Sequence, residues 1–160
     1  ALLLYAETAP EVAIIEVGLG GRLDATNVVQ PVVSVITPVA LDHMAFLGDT
    51  AELIALEKAG IMRRGAYTIV AEQTPEVLAV LRESSRQVGA KALFEDTDFA
   101  IGGFPQTPQS GWQLRSPGRE WYVPKLGLLG RYQGHNALAA LVACEILLGD
   151  DLDEEAVTKG

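Results

Sequence analysis

Apolar positions fall into two rhythms along the first 95 residues. Residues 12–17 and 32–36 are apolar runs rich in β-branched side chains, interrupted only by Glu16 and Ser34. Such runs predict strands buried on both faces, as in a parallel sheet. Between them and beyond, the rhythm turns helical. Leu53, Leu56 and Ala59 share a face over 51–59, and Gly60 follows as a natural stop. Residues 67–71 predict a further strand. Residues 74–88 predict a helix with Leu78, Leu81 and Ser85 on one side and Gly89 at its end, and 91–94 predict another strand. Residues 2–7 read as a helix end, broken by Pro10. The β-α-β-α-β order implies an α/β fold with a doubly wound, mainly parallel sheet.

The rhythm shortens after Asp96. Residues 99–101, 111–115 and 121–124 are brief runs punctuated by glycine and proline, which predicts an antiparallel ribbon. Residues 133–148 restore a long helical pattern, with Leu138, Leu141, Val142, Glu145 and Leu148 near one another. Acids at the head of 153–160 resemble the first turn of one more helix. The expected organisation is a β/α part over 1–95, a ribbon over 96–128 and a helical part over 129–160.

Composition narrows the function classes. At 160 residues the chain can bury one real core. A net charge of −9 argues against non-specific binding to nucleic acid or an anionic membrane. No secretory leader or membrane span is visible, so a cytoplasmic setting is expected. Cys144 is the sole cysteine, which removes disulfide frameworks and Cys/His zinc clusters. Its place in the apolar helix predicts a buried, inert thiol.

The chemistry concentrates near residue 20. Glu16 is the one acid in the run 12–17, which ends in Gly18, Gly20 and Gly21. A carboxylate on a buried strand is costly unless paired or metal-bound, and three glycines let a backbone approach a ligand closely. Glu16 is therefore a candidate ligand for a hard cation. The rival reading is the dinucleotide fingerprint G-x-G-x-x-G. Leu23 stands at its last glycine, and residues 22–31 make poor helix before Pro31.

Residues 16–27, Glu-Val-Gly-Leu-Gly-Gly-Arg-Leu-Asp-Ala-Thr-Asn, carry a resemblance. So do 34–47 (Ser-Val-Ile-Thr-Pro-Val-Ala-Leu-Asp-His-Met-Ala-Phe-Leu), 57–61 (Glu-Lys-Ala-Gly-Ile) and 129–140 (Leu-Gly-Arg-Tyr-Gln-Gly-His-Asn-Ala-Leu-Ala-Ala). In this order they resemble the folylpolyglutamate synthase / dihydrofolate synthase family of the Mur-ligase superfamily. Each motif alone is modest; four in sequence are specific.

The resemblance assigns roles that the residues alone leave open. Glu16 and His43 align with the family's metal-binding Glu and His. Lys58 aligns with a lysine that CO2 converts to a carbamate, an anionic oxygen donor suited to Mg²⁺. Without the resemblance, His43 is a loop histidine beside a turn-capping Asp42, and Lys58 is a solvated lysine at a helix end. Asp24 aligns near the pterin-bearing substrate, or it is a turn residue bonding its own backbone. Arg22 is an anion contact or a structural ion-pair partner. Asn136 and Gln133 align with ATP contacts, or Asn136 is a polar opening to its helix. Tyr132 stands where the family often has His, and His135 falls at a variable position and receives no role. Trp112 and Trp121 read as ribbon packing.

The activity implied is ATP-dependent amide formation, joining L-glutamate to the carboxylate of dihydropteroate or a reduced folate through an acyl phosphate, with Mg²⁺. Family members carry a phosphate loop upstream and a further domain downstream. No G-x-x-x-x-G-K-[ST] run occurs in these 160 residues. The chain is expected to be the central part of a longer monomeric enzyme and inactive alone. Two alternatives are another Mur-type amino-acid ligase and a non-catalytic α/β binding domain.

Overall fold

A computed structural model describes residues 2–41, 44–105, 110–128 and 130–159. The chain begins with helix α1 (Leu2–Thr8) and reaches a 3₁₀ turn (Ala25–Val28) before strand β1 (Val33–Ile36). Short helix α2 (Met44–Leu47) and helix α3 (Ala51–Ala59) lead to β2 (Tyr67–Val70), and α4 (Pro75–Val88) leads to β3 (Lys91–Phe94). The strands lie in chain order and pair in parallel, Val33 opposite Tyr67 and Tyr67 opposite Lys91. Strands β4 (Ala100–Gly103), β5 (Trp112–Arg115) and β6 (Glu120–Val123) form a separate antiparallel sheet. Helices α5 (Tyr132–Leu148) and α6 (Glu154–Lys159) follow.

Helices cover the parallel sheet on both faces. On one face Ile36, Val70 and Phe94 pack with Ile54, Ala55 and Ala59 of α3 and with Val77 and Leu81 of α4. On the other, Ile69 meets Leu138, Leu141 and Val142 of α5. The antiparallel sheet closes over α5 through Trp112, Leu114, Trp121 and Val123. Trp112 packs so closely that a Cβ on Gly134 would lie 2.1 Å from its ring. The Trp121 indole N–H donates to Ser116 Oγ at 3.1 Å and Glu145 Oε1 at 3.2 Å. Both tryptophans pack the ribbon, as expected.

Three details depart from the sequence reading. Residues 12–17 are not a strand, and Ile14 is 92 % exposed. Among the described residues β1 is an edge strand of the parallel sheet, and 12–17 do not pair with it; an apolar run becomes a strand only where its backbone groups find a partner. In α3 the buried set is Ile54, Ala55 and Ala59, while Leu53 and Leu56 face solvent. A nine-residue helix carries two apolar stripes, and packing against α4 selects between them. Cys144 is exposed. It sits about a third of a turn from the buried Leu138, off the face that meets the sheet.

Thr68 is fully buried in the central strand, and its hydroxyl has no hydrogen-bond partner among the described residues. Thr68→Val keeps the shape and removes an unpaired polar atom. Urea unfolding is expected to show stability raised by about 1 kcal/mol. A loss of stability would mean that the hydroxyl is paired.

Candidate functional site

The glycine loop is organised around one carboxylate. Asp24 Oδ2 accepts from the Gly18 and Leu19 amides at 3.1 and 3.0 Å. Its Oδ1 accepts from the Thr26 amide at 2.9 Å and the Thr26 hydroxyl at 2.6 Å. Asp24 thereby caps the 3₁₀ turn and folds the loop back on itself. Gly20 takes φ +65°, a left-handed conformation that favours glycine. These donors, Thr26 first, hold the Asp24 carboxyl down at about 2. The contribution of the ionised form is complete above the ordinary value of 3.8 and disappears as pH falls through about 2.

Asp24→Asn turns an amide NH₂ toward two of the four donors. The Gly18 and Leu19 amides are expected to exchange hydrogen severalfold faster in this variant. Its stability deficit should close as the pH falls toward 2, where wild-type Asp24 also becomes neutral. A deficit that persists there would locate the loop's order elsewhere.

The loop is clasped to the end of α3. The Arg22 amide donates to Glu57 O at 2.9 Å. The Arg22 guanidinium donates through Nε and Nη2 to Glu57 Oε1 at 3.0 and 2.8 Å. Asn27 Nδ2 donates to Arg22 O and Gly60 O. Arg63 closes the ring, with Nη2 donating to Asn27 O and Oδ1 and Nη1 donating to Gly60 O. Bare backbone makes this possible. A Cβ on Gly21 would lie 2.9 Å from Glu57 O, and one on Gly60 would lie 2.5 Å from Arg22 Cα. The exposed Arg22–Glu57 pair is worth only about 0.2–1 kcal/mol by itself; the close approach is the larger constraint. A cleft of about 330 Å³ opens beside the clasp, lined by Leu19, Arg22, Leu23, Asp24, Phe46 and Glu57 among others.

A second constellation lies at the carboxyl ends of β2 and β3, where ligands of open α/β sheets gather. Glu95 is buried, and its Oε2 accepts from the Glu72 amide at 2.7 Å. Its Oε1 lies 2.6 Å from His135 Nδ1, while His135 Nε2 lies 3.6 Å from Glu72 Oε2. Burial raises the Glu95 carboxyl above its ordinary value, against the lowering effect of His135. These residues, with Asp96, Ile101, Phe104 and Arg131, line a cleft of about 380 Å³. Next to it, Gln73 ties the loops after β1 and β2 by accepting from the Val39 amide and donating to Thr37 O.

The sequence candidates divide between these places. Glu16 is exposed, two residues before the glycine loop. Lys58 is half-buried on the last turn of α3, beside the clasp. His43 and Asp42 lie outside the described residues. Asp24 and Arg22 are both engaged in holding the loop. Gln133 and Asn136 sit on the first turn of α5, where Asn136 Nδ2 donates to Gln133 Oε1 at 3.0 Å. The carboxylate of Glu16 is a donor of the kind Mg²⁺ takes. Among the described residues, however, no three His, Cys, Asp or Glu side chains assemble a metal site. Glu57, Gln73 and Glu95 escaped the sequence reading. The acids after two strand ends, Glu72 and Glu95, were the available signal.

The model of the Mur ligase middle domain matches residues 1–144. The dihydrofolate synthase/folylpolyglutamate synthase of Mycobacterium tuberculosis is 38 % identical over 168 residues, covering 98 % of this chain and 34 % of that protein. The structure resembles an FPGS–AMPPCP–folate complex with a TM-score of 0.86 and 31 % identity, covering 98 % of this chain and 39 % of that one. It also resembles E. coli FolC in complex with DHPP and ADP, with a TM-score of 0.84 and 34 % identity, covering 99 % and 36 %. The chain spans about a third of the length of the curated relatives it matches.

Proposed function

The chain belongs to the Mur ligase middle-domain family, on its folylpolyglutamate/dihydrofolate synthase side, and from that premise we propose that it is the middle part of an ATP-dependent glutamate ligase. The clasp carries the reading. It joins the Glu-Val-Gly-Leu-Gly-Gly-Arg-Leu-Asp-Ala-Thr-Asn and Glu-Lys-Ala-Gly-Ile segments into one unit, so that Lys58 stands beside the loop that follows Glu16.

In this reading a carboxylate oxygen of dihydropteroate or a reduced folate attacks the γ-phosphorus of ATP, and ADP leaves. The amine of L-glutamate then attacks the acyl carbon, and phosphate leaves with the carboxylate oxygen. Activation is needed because a carboxylate is a poor acylating agent. Glu16, His43 and a carbamylated Lys58 would hold Mg²⁺, which neutralises charge on the phosphoryl oxygens when bound. Gln133 and Asn136 contact ATP. Arg22 and the loop shaped by Asp24 border the pterin-bearing substrate, at the cleft lined by Leu19, Leu23 and Phe46. The enzyme acts as a cytoplasmic monomer. Among the described residues no helix is long and apolar enough to cross a membrane.

The test is product mass. The enzyme that carries this chain should convert dihydropteroate or a reduced folate to a species heavier by one glutamyl residue, only with ATP and L-glutamate present. The 160 residues alone should give no turnover, since they hold no phosphate-loop motif. ATP hydrolysis indifferent to both co-substrates would refute the ligase reading.

A further inference from the structure

The first turn of α5 starts without a side-chain cap; the Gln133 and Gly134 amides donate to Gly130 O and Arg131 O. Arg131 at its N-cap position is helical and makes no side-chain cap hydrogen bond, and Gly134 offers no side chain. His135 ties this turn to the end of the parallel sheet, ahead of the apolar packing of Leu138 and Val142 on Ile69. An ionised carboxylate only accepts, so His135 Nδ1–H donates to Glu95 Oε1 at 2.6 Å. The Glu95 side chain is 1 % exposed and is itself fixed by the Glu72 amide. Residues at i and i+3 share a helix face. Gln133 and Asn136 therefore point one way, while His135 points about a third of a turn or more from both. The imidazole grips the sheet from one side of the turn and leaves the opposite side free for a ligand.

We propose that Glu95 is a positioning residue which, through His135, sets the placement of Gln133 and Asn136 against the nucleotide, making ATP affinity depend on the carboxylate–imidazole pair. The inference rests on the assignment of Gln133 and Asn136 to ATP. It adds two residues to which neither the family motifs nor the sequence pattern gave a task. The strut is sensitive to pH because the charged groups around it are unbalanced. Glu72 from the loop after β2, Asp96 from the turn after β3 and Arg131 from the turn before α5 line the same cleft as the pair. Burial, the largest influence, and the Asp96 charge, the smallest, favour the protonated Glu95 against the opposing pull of His135 and the Glu72 amide, with the net direction upward. Acid therefore neutralises the acceptor and loosens the turn.

The experiment measures ATP dissociation constants by calorimetry, and KM and kcat, across the acid range in the enzyme that carries this chain. Glu95→Ala should weaken ATP binding and raise the KM for ATP about tenfold or more, with kcat and the KM for the pteroate substrate changed less than about twofold. Glu95→Gln keeps one acceptor oxygen for His135 Nδ1–H, turns its NH₂ toward the Glu72 amide and does not titrate. It should bind ATP more tightly than Glu95→Ala near neutrality and lose the acid-side weakening, which a merely structural role would not alter. Should Glu95→Ala fail to fold, the Glu95→Gln pH profile decides alone. Asn136→Ala separates the two claims. If it weakens ATP binding while Glu95→Ala does not, or if Glu95→Gln retains the acid limb, the strut is overturned and the ATP assignment stands. If neither variant alters ATP binding, both are overturned.

Discussion

Gly60→Ala is expected to release the glycine loop from α3 and, in the enzyme that carries this chain, to abolish most of the proposed ligase activity. Gly60 has φ −60° and ψ −10°, a backbone any residue adopts. The requirement is space. The added methyl would lie 2.4 Å from Arg22 Cβ and 2.5 Å from Arg22 Cα, and backbone cannot rotate away. Overpacking of this kind costs about 1–3 kcal/mol. Losing the Arg22 amide and Asn27 hydrogen bonds adds to that cost, so a melting-temperature fall of about 5–10 °C is expected. Hydrogen exchange should quicken at the Arg22 amide while the β2 core stays protected. Gly127→Ala is the control, because nothing lies within 4 Å of its Cβ. If Gly60→Ala leaves both the Arg22 amide and activity unchanged, the clasp is not what shapes the site.

Lys58→Ala is expected to remove activity by about a hundredfold or more, the scale of losing a group that stabilises charge in the transition state, and to leave the fold intact. Lys58 is half-buried on an outer part of the last turn, and alanine is the best helix former. A carbamate at Lys58 would be an anion where the sequence writes a cation. Added formate or acetate should restore part of the lost rate by supplying oxygen donors in the same place, and ¹³C-labelled CO2 should give a carbamate signal absent from the variant. Full activity in Lys58→Ala would reject the role. A large drop in melting temperature would assign the lysine to structure instead.

The regular elements were largely legible because local periodicity encodes them. The bounds of α3 coincide with the expected 51–59, and Thr74 and Gly89 bracket α4 where caps were expected. Gly60 shows the limit. It ends α3 as expected, yet without the left-handed conformation that Gly89 adopts at φ +76°, and it serves a segment 38 residues earlier in the chain. Residues 12–17 read as a strand because apolar runs are local, while pairing is not. The clasp shows why Asp24 and Arg22 carried two readings. A motif marks residues that matter without stating whether they touch a ligand or each other, and here both hold the loop. The Glu95–His135 pair was invisible because it joins residues 40 apart in sequence, and no spacing rule reports such a meeting.

The proposed acyl phosphate would leave a label that no other route to the amide leaves. Dihydropteroate carrying ¹⁸O in its carboxylate, turned over with ATP and L-glutamate by the enzyme that carries this chain, should transfer one ¹⁸O atom to each phosphate released. That oxygen bridges carbon and phosphorus in the intermediate and departs with phosphorus when the amine displaces it. Unlabelled phosphate alongside formation of the glutamyl product would contradict activation of the carboxylate at the γ-phosphate, and with it the reaction proposed for this fold.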